Sequence, residues 1–468
     1  MKNLILIDRA LELVDDILQD PQICIVVLVI DNERQEIEKY RNHRQIQSIY
    51  TVAELDNLDG TQGLDFPFIR KCKGAQLRAE NAMLRFEIDY SDKKYRYYMG
   101  LAFWHNVFEE NEIDTVLLSG ATHGFNYDGV LLGVAEQYGA AVYSLNTVGI
   151  HRWAAFLFDH KRNQPVVLYN EKKIASMNEY LVDGEHDVLH VWLDGNENVE
   201  TSSKIGCVQQ YILKQVYRLF GYYGRATLVA IMRRTLFLPR QICSSGFQIS
   251  LYDTLKCYGR MSSNRRFLKK KEVKASLDEK YIYYPLSFEP EATTQTKLTL
   301  ESQLVVIKML SECLPPGWKL YVKEHPHQYR LNNDWFYYCV INGDLFKTKR
   351  YYERICSLPN VVLVCGTYSG REMAEKSRAV ASINGSVLLE TVQMGKPILL
   401  FSEYHPFFHA DSVLKCFSYE GCKKNIERIY QGYQPDYSDM VPLMNRYVAS
   451  GWEDLLSNVK AVIHGDIE

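Results

Sequence analysis

The chain has 468 residues, 47% hydrophobic and 24% charged, with Lys+Arg 54 against Asp+Glu 57 for a net charge of −3. That length suits two domains of roughly 200 residues each, and the balance excludes disorder, fibrous architecture and a nucleic-acid binder that relies on global positive charge. The longest apolar runs, such as Cys24–Ile30, fall far short of the ~20 residues that a membrane span needs.

The amino-terminal stretch MKNLILIDRALELVDD has no signal-peptide h-region or cleavage site, so a cytoplasmic protein is expected. Eleven cysteines without a CxxC pair suggest neither a zinc ribbon, a thioredoxin-type site nor a disulfide framework.

In chain order, Ile23–Ile30 is a β-branched apolar run that predicts a buried strand. A long helical stretch is predicted over Ala75–Glu110. Thr115–Ser119 is a second short strand, followed by Gly-Ala-Thr-His-Gly-Phe-Asn. Helical spacing over Tyr127–Tyr138 ends at Gly139, a suitable C′ glycine, and Ala141–Leu145 is the next strand. This strand–loop–helix–strand order is the parallel βαβ pattern, which sets loops at the carboxyl ends of strands.

Val208–Arg240 is helical and rich in aromatics and Arg, and Arg260–Lys274 carries Arg265, Arg266, Lys269, Lys270, Lys271 and Lys274. Two readings stay open. The segment is a solvated helix face with a linker, or 208–274 is a basic aromatic surface that rests on an anionic membrane leaflet or holds an anionic polymer.

From Glu279 the alternation returns. Strands are predicted at Tyr281–Tyr284, Lys319–Lys323, Val361–Cys365, Ala379–Ile383 and Pro397–Phe401. Helices are predicted at Ser302–Leu314, stopped by Pro315-Pro316-Gly317, and at Ser386–Met394, closed by Gly395. The division that follows is a Rossmann-like domain over 1–245, a basic linker over 246–278, a second Rossmann-like domain over 279–439, and a helical segment over 440–468 that packs back toward the first domain.

Four constellations can carry chemistry. In Lys319-Leu-Tyr-Val-Lys-Glu-His-Pro326, Pro326 ends the strand and sets His325 at its carboxyl end, where α/β sheets bind ligands. His325 can donate to a phosphate oxygen and Lys323 can add charge. In Asn384-Gly385-Ser386, a strand gives way at once to a helix. Gly385 permits close backbone approach, Ser386 caps the helix, its free N–H groups suit a phosphate, and Glu390 one turn on can accept from sugar hydroxyls.

In the third, Glu289 and Glu291 flank Pro290 in a loop after a strand, expected to be exposed, with Thr293 and Thr294 as hydroxyl donors. Glu291 can serve as nucleophile or ion-pair partner in glycosyl transfer. In the fourth, His123 and Asp128 follow the Thr115–Ser119 strand as a general base and its orienter, although Asp128 in the first turn of the helix equally serves only the helix dipole. Arg152, after the next strand, can hold an anionic substrate group. Each of these also has a plain structural reading as a cap, a turn or a solvated acid.

The runs YYPLSFEPEATT, LPPGWKLYVKEHP and INGSVLLETVQMGKPILLFS, with the earlier THGFNYDGVLLGVAEQYG, resemble bacterial capsular and surface polysaccharide biosynthesis proteins over roughly Thr115–Gly149 and Tyr281–Ser402. More distantly, the His-Pro turn and the acid before it resemble retaining Kdo transferases and bacterial sialyl- and polysialyltransferases. The resemblance implies a GT-B fold, two Rossmann-like βαβ domains facing across a cleft. It further implies a nucleotide-sugar glycosyltransferase that uses a CMP-activated ulosonic acid such as Kdo or a nonulosonate.

By that resemblance His325 and Ser386 bind CMP, and Glu291 falls near the acid that attacks the anomeric carbon. The reading of the residues themselves adds Lys323, Asn384, Gly385 and Glu390 to the nucleotide site and assigns Glu289, Thr293, Thr294 and Arg152 to the substrate. The chain departs from the family pattern at Glu289, where the family has Gln, at Gly124, where it has an acid, and at Leu389-Glu390, where it has an aromatic–acid pair. The expected partners are a nucleotide-sugar donor and a glycan or lipid-linked glycan acceptor, with no metal, no further cofactor and no nucleic acid. The alternatives are a polyol-phosphate transferase of the CDP-glycerol or CDP-ribitol type, a UDP-sugar transferase, and a non-enzymatic partner in capsule assembly.

Overall fold

The computed structural model describes residues 1–8, 13–30, 37–84, 90–119, 126–147, 155–171, 173–177, 221, 224, 251–290, 299–326, 328–329, 343–385, 387–449 and 451–467. It contains two sheets. The first is formed by β1 (Lys2–Asp8), β2 (Ile23–Ile30), β3 (Ile46–Thr51), β4 (Thr115–Ser119), β5 (Ala141–Thr147), β6 (Ala155–Asp159) and β7 (Gln164–Pro165), in the order β3-β2-β1-β4-β5-β6-β7. β1 to β5 run parallel, while β6 and β7 add antiparallel to the edge. Every residue of β2 is buried, as a parallel strand covered on both faces requires.

The second sheet is formed by β8 (Tyr281–Pro285), β9 (Lys319–Lys323), β10 (Val361–Val364), β11 (Ala379–Ser382), β12 (Ile398–Leu400) and β13 (Leu414–Lys415). Its order is β10-β9-β8-β11-β12-β13, parallel throughout. Counted along the chain this is 3-2-1-4-5-6, the doubly wound order of a Rossmann-like domain. The first sheet repeats it through its parallel strands. Each sheet therefore has a switch point, between β1 and β4 in the first and between β8 and β11 in the second, where the chain leaves toward opposite faces.

Side-chain alternation along β1 divides the first core. Ile5 and Ile7 pack with helices Lys73–Met83 and Tyr90–Glu110 and with residues 130–135. Leu4 and Leu6 pack on the other face with Leu455, Val459, Val462 and Ile463 of helix Trp452–His464. The carboxyl-terminal helix thus completes the first domain, while helix Met440–Tyr447 keeps Met440, Leu443 and Met444 in the second core.

Two asparagines secure the crossing. Asn445 donates to the Ile174 carbonyl at 2.9 Å and accepts from its N–H at 2.8 Å; Asn458 does the same for Tyr169 at 3.0 and 2.7 Å.

Several elements differ from expectation. The stretch over 75–110 is two helices, and 440–462 is also two. β1, β3 and the antiparallel β6–β7 edge are additional to the expected strands, although Leu4–Ile7 of β1 is itself an apolar run. The 246–278 linker is, over Leu251–Lys271, a helix packed on residues 343–356, with Cys257, Tyr258, Met261 and Leu268 buried. Its spaced apolar residues find a core once the second domain is assembled. Residues 208–220, 222–223 and 225–250 lie outside the described residues. At the basic end, Lys269 pairs with Glu272 at 2.8 Å. No helix among the described residues is long and apolar enough to cross a membrane.

Gly139 takes φ 74° at the helix end, the left-handed conformation its position predicted. Gly129 and Gly133 serve a different need. A Cβ at Gly129 would lie 2.5 Å from the Ala79 Cα, and one at Gly133 would lie 2.0 Å from the Ala75 Cβ. The two helices therefore meet backbone to backbone. Gly133→Val is expected to destabilise the fold by about 1–3 kcal/mol through overpacking. Gly74→Ala, where nothing lies within 4 Å of the new methyl group, is expected to stabilise it by about 0.5–1 kcal/mol. Chemical denaturation of the two variants checks the pair of opposite signs.

Candidate functional site

The carboxyl edges of the two sheets meet. The Tyr404 hydroxyl, just beyond β12, donates to Asn146 Oδ1 near the end of β5, and the Tyr404 ring rests 4.7 Å from that of Phe158. Asn81 of the first domain reaches Glu301 of the second at 3.3 Å.

At the second switch point, strand register sets the geometry. Tyr283 of β8 pairs with Tyr321 of β9 and with Val380 of β11. Four residues beyond each lie Ser287, His325 and Asn384, so all three leave the sheet at one level. β9 and β11 flank β8, which separates them by about 10 Å, two strand spacings. A crevice beyond such carboxyl ends is where doubly wound sheets take ligands.

On the β9 side, His325 is half-buried, with its ring edge-on to Phe288 at 5.9 Å. Its main-chain N–H donates to Glu324 Oε1 at 2.8 Å. Lys323 was expected to face a phosphate. Its ammonium instead donates to the Tyr368 carbonyl on the β10 side, and burial lowers its pKa. Strand alternation puts Lys323 on the same face as Tyr321, which packs against Met373 and Ala374 of helix Gly370–Lys376.

On the β11 side, Asn384 and Gly385 are half-buried. A Cβ on Gly385 would stand 2.9 Å from Ser382 Oγ, so the turn folds tightly over that hydroxyl. Ser386 lies outside the described residues. Glu390, expected to meet sugar hydroxyls, is 0% exposed in helix Val387–Gln393, where its charge adds to burial in raising the pKa of the equally enclosed Tyr283 hydroxyl. One helical turn carried it into the core rather than along the surface.

The third constellation also changes. Glu289, expected in an exposed loop, is 6% exposed and joined to Pro290 by a cis peptide bond. Its carboxylate accepts from Gln303 Nε2. Its N–H donates to Gln328 Oε1 at 2.9 Å, and its carbonyl accepts from Gln328 Nε2 at 2.6 Å. Burial, aided by the nearby Glu324 charge, raises its pKa, while Lys347 and the Gln303 bond oppose the rise. The Tyr284 and Tyr351 hydroxyls feel the Glu289 charge, and burial pushes both well up.

Glu291, Thr293, Thr294, His123 and Arg152 lie outside the described residues. The backbone of Asp128 lies in the π-helical turn Asn126–Leu131, just past the first switch point.

Sequence reading missed Gln303, Gln328, Lys347 and Asp8. Asp8 ends β1, is 1% exposed, pairs in register with Ser119 and accepts the Leu13 N–H at 2.7 Å. An acid closing an apolar run was its available signal. Lys347, inside Lys-Thr-Lys, had none that separates it from solvated lysines.

Glu289 gives a pH test with a definite sign. Its raised folded-state pKa means that its contribution is full below the ordinary value of 4.5 and is lost as pH rises through the folded pKa. Glu289→Gln keeps an oxygen for Gln303 and cannot ionise. Denaturant titrations at pH 4.5 and 7.5 should therefore show the variant gaining on the parent at the higher pH. A difference independent of pH would mean that this carboxyl titrates as an exposed one.

No family model and no curated protein matches the sequence. Among solved structures the chain is similar to UDP-GlcNAc 2-epimerase from Methanocaldococcus jannaschii, at 10% identity over 99% of this chain and 100% of that one, with a TM-score of 0.25. It is also similar to the Neisseria meningitidis UDP-GlcNAc 2-epimerase bound to UDP-GlcNAc (12%, all of both chains, TM-score 0.23). A third is the KpsC β-Kdo 2,7 transferase of Thermosulfurimonas dismutans (11%, 80% of this chain and 97% of that one, TM-score 0.29). At identities and TM-scores this low, these likenesses carry no argument about fold or function. On the topology described above, the chain is an α/β protein of GT-B type, with two Rossmann-like domains whose carboxyl edges meet.

Proposed function

We propose that the protein is a nucleotide-sugar-dependent glycosyltransferase of capsule or surface polysaccharide assembly. Its donor is a CMP-activated ulosonic acid, and its acceptor a growing glycan, free or lipid-linked. The observation that carries the reading is the common level at which Ser287, His325 and Asn384 leave the second sheet, around its switch point.

In this reading the donor's phosphate lies between the His325 turn and the Asn384-Gly385-Ser386 turn. The His325 imidazole and main-chain N–H groups disperse the charge that grows on the departing nucleotide. Glu291 is assigned as the carboxylate that stabilises an oxocarbenium-like state at the anomeric carbon or forms a covalent intermediate with it. His123, oriented by Asp128, takes the acceptor's proton from the first domain.

Purified protein incubated with CMP-, UDP-, GDP- and CDP-linked donors tests the assignment. Hydrolysis or transfer is expected with the CMP-linked ulosonic acids. In calorimetric titration His325→Ala is expected to weaken CMP binding about 10- to 100-fold, the effect of one hydrogen bond to a charged group. Turnover of UDP-hexoses alone overturns the CMP assignment. CDP-glycerol or CDP-ribitol turnover replaces it with polyol-phosphate transfer. Absence of affinity for any nucleotide leaves a non-enzymatic assembly partner.

A further inference from the structure

A lysine is almost never enclosed unless it is paired, and Lys347 is 0% exposed. Its ammonium donates to Glu324 Oε1 at 3.1 Å and to the Ser287 carbonyl at 3.2 Å, and lies 5.0 Å from the centre of the Tyr351 ring. Glu324, whose side chain is 7% exposed, accepts from two further donors: the His325 N–H at 2.8 Å and the Tyr352 hydroxyl at 2.6 Å. Tyr352 in turn shares a 2.8 Å hydrogen bond with Tyr329.

The pair therefore ties the exit of β8, at Ser287, to the exit of β9, at His325. Gln328, in the segment after β9, holds both backbone groups of Glu289, and Gln303 of helix Gln303–Cys313 accepts the Ser287 N–H.

Stability does not account for such a pair. Removing two charges from water costs about as much as their attraction returns, and apolar replacements of similar volume are often neutral or better. What the ions supply is direction. Glu324 fixes the His325 main chain through one oxygen, while Lys347 fixes the acid-bearing loop through a carbonyl.

We propose that Lys347 and Glu324 are a positioning pair, holding His325 and the Ser287–Pro290 loop in fixed relation at the donor site. The inference rests on the donor-site reading above.

The test compares wild type with Lys347→Met/Glu324→Leu, which removes both charges together, and Lys347→Met/Glu324→Gln, which restores an acceptor for the His325 N–H. Melting temperature and the Kd for CMP and UDP are read for each. The expected result is a melting temperature near wild type for both, a Kd at least tenfold higher for the Leu variant, and recovery of most of that loss in the Gln variant.

Unchanged nucleotide affinity in a folded Leu variant overturns the proposal. So does a loss of affinity in a folded Leu variant that the Gln variant does not recover. Should the Leu variant not fold, Tyr352→Phe decides, since it deletes a hydrogen bond to Glu324 without touching a charge. Weaker CMP binding at an unchanged melting temperature supports the pair, and unchanged binding overturns it.

His325→Ala separates the two levels. If that variant binds CMP and UDP like wild type, the donor-site reading fails and the positioning proposal falls with it. If it loses affinity while the Leu variant does not, only the positioning proposal fails.

Discussion

Parallel pairing is the constraint from which the candidate site follows. When every strand of a sheet runs one way, all the strand-to-helix exits share one edge. Where the chain reverses its winding, the exits of neighbouring strands part and leave a crevice. In the second domain β8 lies between β9 and β11, and Tyr283 is level with both Tyr321 and Val380. His325 and Asn384, more than fifty residues apart in sequence, are thereby carried to one height. The same logic sets Asp8 beside Ser119 in the first domain.

What keeps the two edges opposed is a set of ties near the chain crossing. Helix Trp452–His464 belongs to the first core although the residues before it belong to the second. Asn445 and Asn458 each imitate a strand partner, offering donor and acceptor to one backbone residue. Such pairing satisfies main-chain groups that would otherwise be costly to bury. Tyr404 and Asn146 close the contact at the carboxyl edges.

The alternation of strands and helices was legible because buried parallel strands are unbroken apolar runs, as in Ile23–Ile30, and because Gly139 and Gly395 mark helix ends through positive φ. The turns at His325 and Gly385 were legible as breaks between an apolar run and a polar turn. Burial of the acids was not. Glu289 and Glu390 stand beside Pro or at a helix start, where acids are commonly solvated, and only tertiary packing encloses them. Lys347 was invisible for the same reason, since its partner Glu324 is twenty-three residues away and on another element. Local pattern reports which face is apolar. It does not report which polar groups a second segment will cover.

The enclosed charges bear on the sign of the field at the crevice. Two carboxylates close to the His325 turn would repel a phosphate if both were ionised and unpaired. Glu324 is matched by Lys347, and burial favours the uncharged form of Glu289. The cluster is therefore less negative than two free carboxylates would make it. Glu390 lies beneath the opposite turn, enclosed with the Tyr283 hydroxyl instead of facing solvent. Glu289 and Glu390, which read in sequence as ligand contacts, thus lie within the packed interior and not on the edge.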